Sequence, residues 1–147
     1  MGTKLVEKKR HIAKTITWRI VGTIDTILLS WLITGDPLMG LSIGAVEVIT
    51  KMVLYYVHER VWFNVNLSKE GKLLESRKRH LVKTLTWRLV GTLDTMTLAW
   101  LITGNPIAGL QIGLAEVFSK MLLYYLHERV WYKSTYGLRT ANKKGYE

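Results

Sequence analysis

Two kinds of stretch alternate along the chain. From Lys14 to Thr34 the residues are almost all apolar or hydroxyl-bearing, and from Pro37 to His58 they are so again. Between them stands Thr34-Gly35-Asp36-Pro37. Gly35 suits the left-handed residue that ends a helix, Asp36 can cap the next one, and Pro37 fits a first turn, where a missing N–H costs nothing. Ile, Val and Thr are frequent, but each stretch of about 20 residues is too long for a strand, and the caps favour helices. The pattern predicts two helices in a tight antiparallel hairpin.

A shift of 69 positions lays the chain on itself. From Lys9 to Trp62 about 36 of 54 positions are identical, and many of the others exchange Ile, Leu and Val. Thr103-Gly104-Asn105-Pro106 repeats the turn. The expected organisation is a hairpin over residues 9–63, a linker over 64–76, a second hairpin over 77–132 and a tail over 133–147. Phe63 to Arg79 reads as a polar surface connection with room for some helix, and the residues after Tyr132 as a loose tail.

Each stretch would cover about 30 Å as a helix, the thickness of a bilayer core. Against insertion stand two charges per stretch, each costing about 2.5–3.5 kcal/mol near the centre. Composition alone, at 48% hydrophobic and 22% charged, would also suit a soluble bundle. The placement of charge decides between them. Lys and Arg total 21 against 11 Asp and Glu, for a formal net charge of +10. The two hairpin turns carry one charge, Asp36, whereas the cations gather before the first stretch, between the repeats and after the last. Positive loops stay in the cytoplasm. Trp18, Trp62, Trp87 and Trp131 fall at one end of the stretches and Trp31 and Trp100 at the other, as two aromatic belts. The sequence therefore predicts an all-α integral membrane protein. It has four transmembrane helices as two tandem hairpins, related by a pseudo-twofold along the membrane normal, with both termini and the linker cytoplasmic.

The charges inside the apolar stretches repeat: Arg19 with Arg88, Asp25 with Asp94, Glu47 with Glu116, Lys51 with Lys120. Counted from the turns, the carboxylates share one depth near the midplane, and the cations lie 1–2 turns nearer the cytoplasm. Glu47 and Lys51, at i and i+4, can pair on one face. Arg19, six residues from Asp25, is expected to reach a carboxylate of another helix. Intramembrane charges mark ion pathways, proton relays or counter-ions, so these eight residues are the candidates for handling an ion or solute. Gly40-x-x-x-Gly44 and Gly109-x-x-x-Gly113 allow close helix approach, and their stripes are expected to face Gly22 and Gly91. At the cytoplasmic rim His58, Glu59 and Arg60 recur as His127, Glu128 and Arg129. His58 and Glu59 are expected to meet Arg10, His11 and Lys14 of the preceding helix, and Arg60 lipid phosphate.

Other chemistries find little support. The chain has no cysteine, which removes disulfides, thiolate metal sites and thiol catalysis. His58-Glu59 lacks the second histidine of a zinc protease, and no histidine spacing imposes a metal site. Phosphate-cradling glycine loops, nucleophile elbows and dinucleotide fingerprints are absent, so neither an enzyme nor a cofactor is expected. The cations bracket apolar spans rather than stripe one helix, which disfavours nucleic acid. Asn66-Leu67-Ser68 would accept a glycan only outside the cytoplasm.

The ordered motifs R/K-H-x-x-K-x-x-x-W-R-x-x-G-T-x-D-T, T-G-[DN]-P and I-G-x-x-E-x-x-x-K-x-x-x-Y-Y-x-H-E-R-x-W occur twice. They resemble the DUF2061 family of predicted prokaryotic membrane proteins over Lys9–Trp62 and Arg79–Trp131. The resemblance implies a small multi-pass protein of the prokaryotic cytoplasmic membrane. The residues support a channel or transporter module for ions or small charged solutes, built on the carboxylate and cation layers. The alternative is a non-transporting assembly subunit whose charges pair internally. Four helices make a thin bundle, so a homo-oligomer is expected, resting on anionic lipids of the cytoplasmic leaflet.

Overall fold

The computed structural model describes residues 4–65 and 77–140. A short strand β1 (Lys4–Val6) precedes α1 (Lys8–Thr34) and α2 (Pro37–Val65); α3 (Arg77–Thr103) and α4 (Pro106–Lys133) follow, then a short β2 (Leu138–Thr140). The turns form as their residues dictate. Gly35 and Gly104 adopt φ of +74° and +70°. Asp36 Oδ1 accepts from the Leu38 amide at 2.8 Å, and Asn105 Oδ1 from the Ile107 amide at 2.9 Å.

The helices are longer than the apolar stretches. α1 has 27 residues and α2 has 29, and at about 1.5 Å per residue each exceeds a bilayer core. The extra turns are built from Lys, Arg, His and Glu, which continue a helix once past hydrocarbon. One boundary moves: α2 runs on through Phe63 to Val65, whereas α3 begins at Arg77, where the second hairpin is expected to start. Residues 66–76, with Gly71 and the Asn66 acceptor, lie outside the described residues, as do residues 141–147. The tail also departs from the expectation of a loose segment. β2 pairs antiparallel with β1, Lys4 opposite Thr140 and Val6 opposite Leu138. Arg10 donates to the carbonyls of Trp131, Ser134 and Tyr136, tying the start of α1 to the last turn of α4 and the residues just after it.

Each helix packs on two neighbours, in the cyclic order α1, α2, α3, α4. Within a hairpin the contact is made by the GxxxG glycines. Gly40, Ile43, Gly44 and Glu47 are the buried positions of α2. A Cβ on Gly40 would lie 2.6 Å from the Ile27 carbonyl oxygen and 3.0 Å from the Trp31 nitrogen, whereas one on Gly44 would meet the Ile27 side chain. Backbone cannot yield and a side chain can. Gly40→Ala is therefore expected to cost about 1–3 kcal/mol, more than Gly44→Ala, with exposed Ala45→Leu near neutral. Thermal unfolding in detergent checks the order, and equal melting of all three would remove the glycines from the interface. Gly22 borders one cleft with Gly44 and Glu47, but a Cβ on it would meet Lys120 of α4, so it packs closest to the equivalent stripe of the other repeat.

The polarity of the bundle is inverted relative to a soluble one. The buried hydrophobic residues are Ile43, Ala99, Ala108 and Ile112, all small or aliphatic, while Asp25, Thr26, Ser30, Glu47, Thr95 and Glu116 are buried beside them. Outside, Leu32 is 77% exposed, Phe118 71% and Leu101 70%. Water tolerates scattered exposed leucines but not a continuous apolar coat, whereas in lipid helices associate through close packing and polar contacts. α1, α2 and α4 are each long and apolar enough to cross a membrane. α3 is not among them; it carries Thr97 where α1 has Leu28 and leucines where α1 has several isoleucines.

Candidate functional site

The buried charges meet at the centre of the bundle. Glu47 sits on α2 and Lys51 one turn further on, so the two pair along one face. Lys120 pairs with Glu116 on α4 in the same way. Each lysine also reaches the other repeat. Lys51 Nζ donates to Thr95 Oγ1 at 2.8 Å and lies 3.8 Å from Asp94 Oδ2 and 3.9 Å from Glu116 Oε1. Lys120 Nζ donates to Thr26 Oγ1 at 2.8 Å and lies 3.7 Å from Glu47 Oε1. Hydroxyls complete the exchange: Thr50 Oγ1 donates to Asp94 at 3.0 Å, and Ser119 Oγ to Asp25 at 2.8 Å. Thr26 and Thr95 pass their own protons to the carbonyls of Gly22 and Gly91. Four carboxylates thus share two ammonium groups.

Burial sharpens the imbalance. Glu47 and Glu116 are each 5% exposed, and the Oε2 atom of each has no hydrogen-bond partner. An ionised oxygen left unpaired in low dielectric is costly. The lysines are less enclosed, with side chains 24% and 23% exposed.

Arg19 and Arg88 do not belong to this cluster. The expectation that they reach a carboxylate of another helix fails: both are exposed, and neither guanidinium makes a hydrogen bond or ion pair with another described residue. They line two clefts instead. One, of about 370 Å³, is bordered by Trp18, Arg19, Gly22, Glu47 and Lys120; the other, of about 640 Å³, by Trp87, Arg88, Gly91, Glu116 and Lys51. So each cleft passes from an arginine to the charged cluster.

The rim is wired across the repeats, not within them. Lys14 pairs with Glu128 at 2.6 Å and Lys83 with Glu59 at 2.7 Å. His127 faces Thr17 and His58 faces Thr86, each at 2.9 Å, with Trp131 and Trp62 donating to the same hydroxyls. Trp18 packs edge-on against Tyr124, and Trp87 against Tyr55, both at 5.2 Å. This corrects the expected partners of His58 and Glu59, which belong to the following helix, α3. Arg60 stacks over Tyr56 at 5.8 Å. Sequence reasoning passed over Thr17, Thr86, Thr50 and Ser119. The available signal was the retention of a hydroxyl at each position in both repeats.

Apart from the Lys51–Asp94 pair and the Arg60–Tyr56 stack, these contacts have counterparts 69 positions away, so the two repeats build one site as near-equivalent units. Residues 12–63 and 81–132 both match the family described as predicted membrane protein, DUF2061. The chain belongs to the DUF2061 family. Two DUF2061 units in tandem account for the doubled cluster, and the family's description agrees with the apolar exterior. No curated protein and no solved structure matches the chain.

Proposed function

We propose that this DUF2061 protein carries a small cation, in the first place a proton, across the membrane through its central cluster. The observation that supports this reading is that four carboxylates, three of them buried, share two ammonium groups, with Glu47 Oε2 and Glu116 Oε2 unpartnered. Such a cluster lowers its energy by taking up positive charge. Among the described residues no three acidic or histidine side chains are grouped to hold a metal ion, which favours the proton. The clefts give the cluster a route toward the end of the bundle that carries both termini. The cation leaves chemically unchanged, so the reading is of a transport module and not an enzyme. The reciprocal lysine pairs are what an assembly subunit would have, and that reading gains if no cation moves.

The reading includes four spans, with α3 crossing beside the others. Leu81, Leu85, Leu89 and Leu101 all lie outward on α3, and its packing between α2 and α4 supports a crossing beside them. It also includes a pseudo-twofold along the membrane normal, relating parallel repeats, and both termini on the cytoplasmic side. Single cysteines at Asp36 or Asn105 are then expected to label from outside intact cells, and one at Thr135 only after permeabilisation. Outside labelling at Thr135 would reverse the orientation. The function itself is tested in proteoliposomes under a fixed potential, comparing protons, sodium and potassium. Proton entry above empty vesicles is the expected result; a faster sodium or potassium flux would replace the proton as the cargo.

A further inference from the structure

The arginines of the two clefts have no use in the cation pathway. Arg19 lies on the face of α1 that also carries Thr15, Trp18 and Thr23, and Arg88 lies on the matching face of α3. An unpaired guanidinium at this depth is expensive in hydrocarbon unless it meets an anion or snorkels to the interface. Nothing within the described residues supplies that anion. Arg19 stands five residues, about 7.5 Å along the helix, from Lys14, whose pairing with Glu128 marks the rim. A side chain of its length spans most of that distance. Beside the arginines the surface is apolar: Ile16 and Ile20 on α1, Leu85 and Leu89 on α3 are more than half exposed. Each cleft therefore offers a bidentate cation next to a bed for alkyl chains, at the end of the bundle rich in positive charge.

We propose that each cleft seats one anionic phospholipid of the leaflet on the side of the termini. Its phosphate is held by Arg19 in one cleft and by Arg88 in the other. The planar fork of arginine matches two phosphate oxygens, as an ammonium group does not. The phosphate supplies the missing counter-charge, and the acyl chains lie over the exposed isoleucines and leucines. Trp18 and Trp87 border the headgroup, where indole rings prefer to sit. This site does not depend on cation transport and holds whether or not the central cluster moves a proton.

Native mass spectrometry of the detergent-purified chain tests it, with phosphatidylglycerol, phosphatidylcholine of the same acyl chains, and inorganic phosphate as separate probes. Two phosphatidylglycerol molecules are expected to remain bound, against fewer of the zwitterionic lipid. Arg19→Gln and Arg88→Gln should each remove one, and the pair both, with affinity falling about tenfold or more. Arg60→Gln, at the rim and stacked on Tyr56, should change nothing. Arg19→Lys with Arg88→Lys keeps the charge and loses the fork; it should bind more weakly than wild type and serves where the glutamine pair does not fold. Four results would overturn the proposal. They are wild-type binding by the glutamine or lysine pair, equal binding of phosphatidylcholine, loss of lipid with Arg60→Gln, and displacement of the lipid by inorganic phosphate, which would make the clefts sites for a free oxyanion.

Discussion

Replacing Lys51 by methionine is expected to destabilise the bundle by about 3–5 kcal/mol, while Glu47→Gln costs about 1 kcal/mol. The asymmetry follows from the charge count. Lys51 pairs with Glu47 and lies within 4 Å of Asp94 and Glu116, so its loss leaves one ammonium group among four carboxylates, three of them buried. Losing the Glu47 charge instead moves the cluster toward neutrality, and the glutamine amide still offers an oxygen to Lys51. The double variant Glu47→Gln/Lys51→Met should fall nearer to Glu47→Gln than to Lys51→Met, since the lysine takes no partner with it that only it satisfies. Thermal unfolding and monodispersity in detergent read the difference. A network that was internally neutral, as the assembly-subunit reading requires, would penalise the two single changes alike.

Gly22→Leu should be nearly as severe as losing a lysine, and Gly22→Ala nearly silent. A Cβ at Gly22 would rest 3.5 Å from Lys120 Cε, and one at Gly91 3.6 Å from Lys51 Cε. Both are ordinary contacts, so alanine fits. A leucine would occupy the path by which the lysine stem crosses the helix to reach Thr26 or Thr95. The ammonium group would be turned away and its carboxylates left without it, at a cost of the same order, about 3–5 kcal/mol. The Ala and Leu variants at both glycines, melted side by side, give the answer. If leucine proves as harmless as alanine, the lysines do not depend on these glycines for their path.

Much of the fold was legible in the chain because its determinants are local. Gly35, Asp36 and Pro37 specify a turn within four residues, and the 69-residue repeat shows that whatever one hairpin does the other does. The i, i+4 pairing of Glu47 with Lys51 is likewise a property of one helix. What could not be read was which neighbour each face meets. Counting residues from the turn places Arg19 and Lys51 at one depth, but depth says nothing of direction. At about 100° per residue, Arg19 is turned well away from Asp25, and the structure puts it in a cleft instead of the cluster. For the same reason the sequence alone points Glu59 to the helix before it, whereas its lysine lies on the one after. The small β1–β2 pair escaped because three-residue strands carry no periodicity.

The repeats also divide the work of assembly. Glycine contacts close each hairpin on itself, while the ion pairs and hydroxyl contacts join α1 to α4 and α2 to α3. The charged cluster is complete only when both units are present, so duplication within one chain fixes a one-to-one ratio of the halves that build it.

The most direct test is proton entry into liposomes that hold a trapped pH indicator, driven by a potassium diffusion potential. It is run with the wild type and with Glu47→Gln/Glu116→Gln. The account predicts entry well above that of empty vesicles for the wild type, reduced at least tenfold in the variant, which should still fold and reconstitute. Wild-type flux in the well-folded variant, or no cation flux at all in the wild type, would contradict it.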